Sequence, residues 1–142
     1  MTGTGVESLA ASKWFAGIEE LNLSGHPVGD AGAHAIAAAQ LPHLRHLTLM
    51  QVGLTTAGLK ALVDAYSNRL QNFQIYGNPI GDRGAEILAS VPWPQMVMQP
   101  GKSQYEIGLF LGGCGLTKRG VDTLMESRNT RLLPSLFLGA SD

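Results

Sequence analysis

The sequence is poor in the features that declare most functions. It holds one cysteine in 142 residues, which excludes an internal disulfide and fits a reducing compartment. Charged residues make up only 15 %, against about 25 % in ordinary globular domains. Neither sign dominates: ten Lys and Arg stand against eleven Asp and Glu, for a net charge of −1. Residues 1–71 carry four basic and five acidic side chains, and residues 72–142 carry six of each. Without a basic stripe to neutralise phosphates, nucleic acid is not an expected partner. No apolar run approaches the roughly 18 residues a membrane helix needs, so no membrane insertion is expected. Residues 1–15 show neither an early basic cluster nor the long apolar run of a secretory signal. Cytoplasmic residence is the expectation.

Catalytic patterns are missing too. No nucleophile elbow, phosphate loop or paired carboxylate site stands out. His26, His34, His43 and His46 fall in a turn, a helix, a loop and a strand, with no Cys or carboxylate at ligand spacing. No metal, cofactor or catalytic residue is therefore expected, and the chain reads as not an enzyme.

What is present is repetition. Gly77-Asn78-Pro79-Ile80-Gly81-Asp82-Arg83-Gly84 echoes Gly25-His26-Pro27-Val28-Gly29-Asp30-Ala31-Gly32. Gln51-Val52-Gly53-Leu54-Thr55-Thr56-Ala57-Gly58 and Gly113-Cys114-Gly115-Leu116-Thr117-Lys118-Arg119-Gly120 are two further copies. A recurring unit of this length implies a solenoid, in which each unit covers its neighbour's apolar face. An alternating apolar pair opens each unit: Leu21 and Leu23, Leu47 and Leu49, Phe73 and Ile75, Leu109 and Leu111, Leu136 and Leu138. The period of two predicts a short strand. The steps between pairs are 26, 26, 36 and 27 residues. The extra length falls in residues 92–102, whose three prolines and glycine predict a loop. Asp30, Thr56 and Asp82 sit where a helix N-cap belongs, with Thr117 one position earlier in the fourth copy. Gly32, Gly58, Gly84 and Gly120 follow, and suggest close approach of helix and strand backbones. Ile36, Leu62, Leu88 and Leu124 are expected to close the core from the helices.

The pattern resembles a leucine-rich repeat, and most of all the ribonuclease-inhibitor-like branch. There one repeat type carries Asn-x-Leu/Ile-Gly-Asp-x-Gly, as in Asn78 to Gly84. The alternating type carries Cys-Gly-Leu-Thr-x-x-Gly, as in Cys114 to Gly120. The resemblance runs from about residue 18 to 138. His26 and Val52 depart from it, standing where Asn or Cys normally bonds the turn backbone. The resemblance implies an α/β solenoid: a short right-handed β/α horseshoe arc with parallel strands on the concave face and helices on the convex face. It also implies a protein-binding scaffold without catalysis. The expected organisation is one domain, 1–142. It comprises a capping helix over about 6–16, repeats at about 18–43, 44–69, 70–104 and 105–131, and a partial repeat over 132–142. Trp14 or Phe15 of the capping helix would cover the first repeat.

Strands about 4.8 Å apart beside helices about 8–10 Å apart force such a curve. The central concave column is then Asn22, Thr48, Gln74, Phe110 and Phe137. Beside it run Ser24, Met50, Tyr76, Gly112 and Gly139 on one side, and Glu20, His46, Asn72, Gly108 and Ser135 on the other. Tyr76, Phe110 and Phe137 form an aromatic group that marks a contact surface if exposed. Alternatively the 92–102 loop folds over it, or a one-residue slip makes the phenylalanines core. Five strands span only roughly 19 Å, and a standard interface takes about 800 Å² from each partner. The loop with Trp93, Met96 and Met98 is therefore expected to contribute. Thr48, Met50, Gln74, Tyr76, Trp93, Phe110 and Phe137 are the candidate protein-binding residues. The last strand has no following helix. Its open edge, with the low charge, favours a second reading as a self-associating subunit of a larger assembly. A third, regulation of a partner enzyme, rests on family analogy.

Overall fold

The computed structural model describes Gly5 and residues 17–139. The expected capping helix, with Trp14 and Phe15, lies outside the described residues. Five strands form one all-parallel sheet in sequence order: β1 (Glu20–Asn22), β2 (His46–Thr48), β3 (Asn72–Gln74), β4 (Gly108–Phe110) and β5 (Leu136–Phe137). Between them run α1 (Gly29–Ala38), α2 (Thr56–Tyr66), α3 (Gly81–Ala89) and α4 (Lys118–Glu126). Each of the first four strands is followed by a helix that returns the chain to the same end of the sheet, so the product is a curved α/β repeat arc. The register is the one the apolar pairs predict: Leu21, Leu47, Phe73, Leu109 and Leu136 lie side by side.

The apolar pairs of the first four repeats are buried, and so are Ile36, Leu62, Leu88 and Leu124. One face of a three-residue strand and one stripe of a short helix are each too small to bury anything alone. Stacking joins them into one continuous core. Backbone bonding runs past the strands into the turns. Leu49 N–H donates to Gln74 O at 2.8 Å, Gln51 N–H to Tyr76 O at 2.9 Å, and Gly77 N–H to Gly112 O at 2.9 Å. Adjacent turns thus stack in register, which explains why their sequences repeat.

Asp30 and Asp82 do not cap their own helices. α1 and α3 begin at Gly29 and Gly81 behind Val28 and Ile80. Each carboxylate instead reaches the start of the next helix. Asp30 accepts from Thr55 N–H at 2.8 Å, from the Thr55 hydroxyl, and from Gly58 N–H at 3.2 Å. Asp82 accepts from Thr117 N–H at 2.8 Å and the Thr117 hydroxyl at 2.5 Å. Thr55, and not Thr56, is the N-cap residue of α2, and Thr117 is that of α4, as expected. Two of the recurring glycines follow from this clasp. A Cβ on Gly58 would strike the Asp30 carboxylate, and one on Gly120 would strike that of Asp82. What approaches these two glycines is a neighbouring carboxylate, not a strand backbone. At Gly84 it is the Ile80 side chain. The repeats are therefore clasped in pairs, and α1 packs on α2, and α3 on α4, more closely than α2 on α3.

Hydrogen bonds from the Thr117 side chain, then from its backbone, hold the Asp82 carboxyl below the ordinary carboxylate range. For Asp30, desolvation pushes upward, but bonds from Thr55 and Gly58 bring the net position below the ordinary value. A depressed folded-state pKa means that the stabilisation is present above the unfolded value, near about pH 4. It is lost as pH falls through the folded value. Asp82→Asn is accordingly expected to lower the urea midpoint near neutral pH, and the gap to wild type should narrow as pH falls below the unfolded value and through the lowered folded one. A gap independent of pH would contradict the clasp.

Residues 92–102 form a loop, as expected, but its tryptophan is not at the surface. Trp93 is 3 % exposed and Met96 2 %. The indole packs 6.2 Å from the Phe73 ring, and its Nε1–H donates to Leu88 O at 3.0 Å. The longer third repeat uses its extra residues to plug its own core. The assignment of Trp93 as a binding residue is corrected on this ground. Val97 and Met98, each 53 % exposed, are the apolar side chains the loop does present.

Candidate protein-binding face

The central column of the sheet is as the sequence predicts: Asn22, Thr48, Gln74, Phe110 and Phe137 are paired in register across the five strands. Asn22 is exposed, Thr48 and Gln74 are half-buried, and Phe137 is exposed. Phe110 departs from expectation. It is buried although its register is right. The Tyr76 ring lies 6.5 Å from that of Phe110 and 5.8 Å, edge-on, from that of Phe137. Tyr76 also lies across Gly112, where a Cβ would come within 2.6 Å of its ring. The glycine makes room for the tyrosine, whose ring packs beside both phenylalanines, and Phe110 is buried on an inner strand flanked by β3 and β5. Phe110 therefore supports the surface and does not form it. The side chains left at least partly exposed on this face are Met50, Tyr76 and Phe137, with Thr48 and Gln74 beside them. Desolvation raises the Tyr76 hydroxyl above its ordinary pKa, with Cys114 adding to the shift.

The 92–102 loop does not fold over the aromatics. Its continuation, the single 3₁₀ turn Gln104–Glu106, stands beside the polar half of the face. Between that wall and strands β1 to β3 lies a cleft of about 300 Å³. Glu20, His46 and Asn72 contribute from the strands, and Lys102, Tyr105 and Glu106 from the wall. Glu106 is set in place because its Oε2 accepts Ser103 N–H at 2.8 Å. Asn72 is 4 % exposed, and its Oδ1 is the one buried side-chain polar atom without a hydrogen-bond partner among the described residues. A buried acceptor left unmatched costs about 1–3 kcal/mol. Sequence reasoning placed Asn72 in its column but gave it no role, since nothing in the sequence shows what lies over a given strand residue.

The two family-type turn residues are structural. Asn78 is fully buried. Its Oδ1 accepts from Val52 N–H and Leu54 N–H, both at 3.1 Å, and its Nδ2 donates to Leu49 O at 2.6 Å and Ile75 O at 2.9 Å. The turn that carries Val52 is thus bonded by its neighbour's asparagine. Cys114 Sγ donates to Ile75 O at 3.1 Å, and burial pushes its thiol above the ordinary value, the reverse of what a nucleophile needs. His26, His34, His43 and His46 stay apart, in the turn after β1, in α1, before β2 and in β2.

Residues 18–37 match the family model for the leucine-rich repeat. A ribonuclease inhibitor from Sus scrofa is 30 % identical over 125 residues, covering 83 % of this chain and 26 % of that protein. The chain is a leucine-rich repeat protein. It falls in the ribonuclease-inhibitor-like branch, where a full helix accompanies each strand. It spans about a quarter of the length of the curated relative it matches. Leucine-rich repeat proteins generally mediate protein–protein interaction. In this one, no helix among the described residues is long and apolar enough to cross a membrane.

Proposed function

We propose that this leucine-rich repeat chain is a non-catalytic scaffold that binds a protein partner through its concave sheet face. The observation that carries the reading is the composition of that face. It joins an apolar patch of Met50, Tyr76 and the 50 %-exposed Phe137 to polar Thr48 and Gln74, all of them at least partly exposed. Apolar anchors with a polar surround are the usual anatomy of a contact surface. We add Val97 and Met98 of the 92–102 loop to the proposed surface because each is 53 % exposed. Trp93 and Phe110 support it from within. A cytoplasmic setting suits the single, buried Cys114.

Self-association is the second reading, favoured by the outer edge of β5. Leu132 is 81 % exposed, and Met125 and Phe137 about half, beside a strand with a neighbour on one side only among the described residues. Photo-reactive residues placed one at a time at Gln74 and at the exposed Leu132 test the two together. A covalent adduct with a different protein from Gln74 supports the first reading. An adduct with a second copy alone, from Leu132, supports the other.

A further inference from the structure

We infer that the cleft between strands β1–β3 and the Lys102–Glu106 wall is a subsite for an arginine side chain of the partner protein. The inference rests on the concave-face reading and adds the chemistry that one end of the face would recognise.

Three observations converge. The first is Asn72, a 4 %-exposed residue of the cleft lining whose buried Oδ1 no group of the described residues satisfies. An acceptor in that position calls for a donor from outside the chain. The amide turns about its last side-chain bond with little resistance, since such torsions are broad, so a donor at the cleft floor can meet it. The second is charge. Glu20 and Glu106 place two carboxylates on the lining against the single ammonium of Lys102. Glu106 is held at the wall by Ser103 N–H, so one carboxylate is positioned before any ligand arrives. The third is shape and surface. Tyr105 is 71 % exposed on the wall and offers a ring face to a planar cation. A guanidinium combines the needed properties: a fixed fork of donors, a positive charge and a flat face that stacks. The cleft volume of about 300 Å³ accommodates one such side chain.

The experiment titrates the isotope-labelled full chain with a capped arginine tripeptide, acetyl-Gly-Arg-Gly-amide, and follows the Asn72 side-chain amide by NMR. The matching glutamate tripeptide is the control. A saturable shift of the Asn72 amide with arginine, absent with glutamate, is expected. Asn72→Leu supplies the second arm, because it removes the unmatched acceptor at similar size. It should leave Tm unchanged or raise it, yet weaken the arginine peptide roughly tenfold, as the loss of one charge-assisted bond requires. A purely structural Asn72 would instead lower Tm and leave the peptide affinity alone. The inference is overturned if the arginine peptide produces no saturable shift, if glutamate does as well, or if Asn72→Leu binds like wild type. If it fails while Gln74 still captures a foreign protein, the concave-face reading stands without the cleft.

Discussion

Trp93→Ala is expected to destabilise the chain by about 3–5 kcal/mol, the usual cost of truncating a buried tryptophan. The residue is 3 % exposed, packs on Phe73 and donates to Leu88 O. Truncation therefore opens a cavity under the third repeat and leaves a buried carbonyl without its donor. Few neighbours can collapse into the gap, because the flanking loop is fixed by Pro92 and Pro94. Urea denaturation of both proteins gives the figure directly. A loss below about 1 kcal/mol would place the indole at the surface and restore it as a partner contact. The practical consequence is that any loss of binding in a Trp93 variant must first be read as a loss of fold.

Asn78→Ala is expected to cost about 3 kcal/mol, and to loosen the array between the second and third repeats. Its amide serves two N–H groups of the second turn and carbonyls of Leu49 and Ile75. Truncation leaves these groups buried and unmatched, and each such group costs about 1–3 kcal/mol before local relaxation and water entry recover part of it. Hydrogen exchange separates this from a general loss of stability. The amides of Val52 and Leu54 should lose protection more than those of α4. Uniform loss across the chain would mean that the asparagine does not act as a staple between these two turns.

The strand register was legible because an apolar residue at every second position leaves only one face to bury, and the turn motif fixes where each strand begins. That reasoning placed Leu47, Leu109 and the whole column from Asn22 to Phe137 correctly. It could not decide burial on the concave side. Phe110 and Phe137 occupy the same column, yet one is covered and one is not: Phe110 lies on an inner strand between β3 and β5, whereas Phe137 lies on the last strand of the described sheet. Periodicity carries no information about such side-chain placement. Trp93 was misread for a related reason. A proline-rich loop has no periodic face, so its apolar residues fit a plug and a contact surface equally well. The reach of Asp30 and Asp82 into the next repeat was hidden because an N-cap signature is local, whereas Asp82 and Thr117 are 35 residues apart. The alternation of Asp with Thr between successive copies was the available signal. Asn72 shows the limit most plainly: its column was known, but its unmatched oxygen exists only once the Lys102–Glu106 segment has taken its place.

The measurement that bears most directly on the concave face as a docking surface is the yield of photo-crosslinked protein from two positions. One is Gln74, half-buried at the centre of the sheet, and the other is Lys60, exposed on α2 on the opposite side. The account predicts one defined adduct with a foreign protein from Gln74, little or none from Lys60, and suppression of the first by Phe137→Ser, a substitution at a site exposed enough to spare the fold. An adduct formed from Lys60 and not from Gln74 would put the partner on the helices and contradict the account.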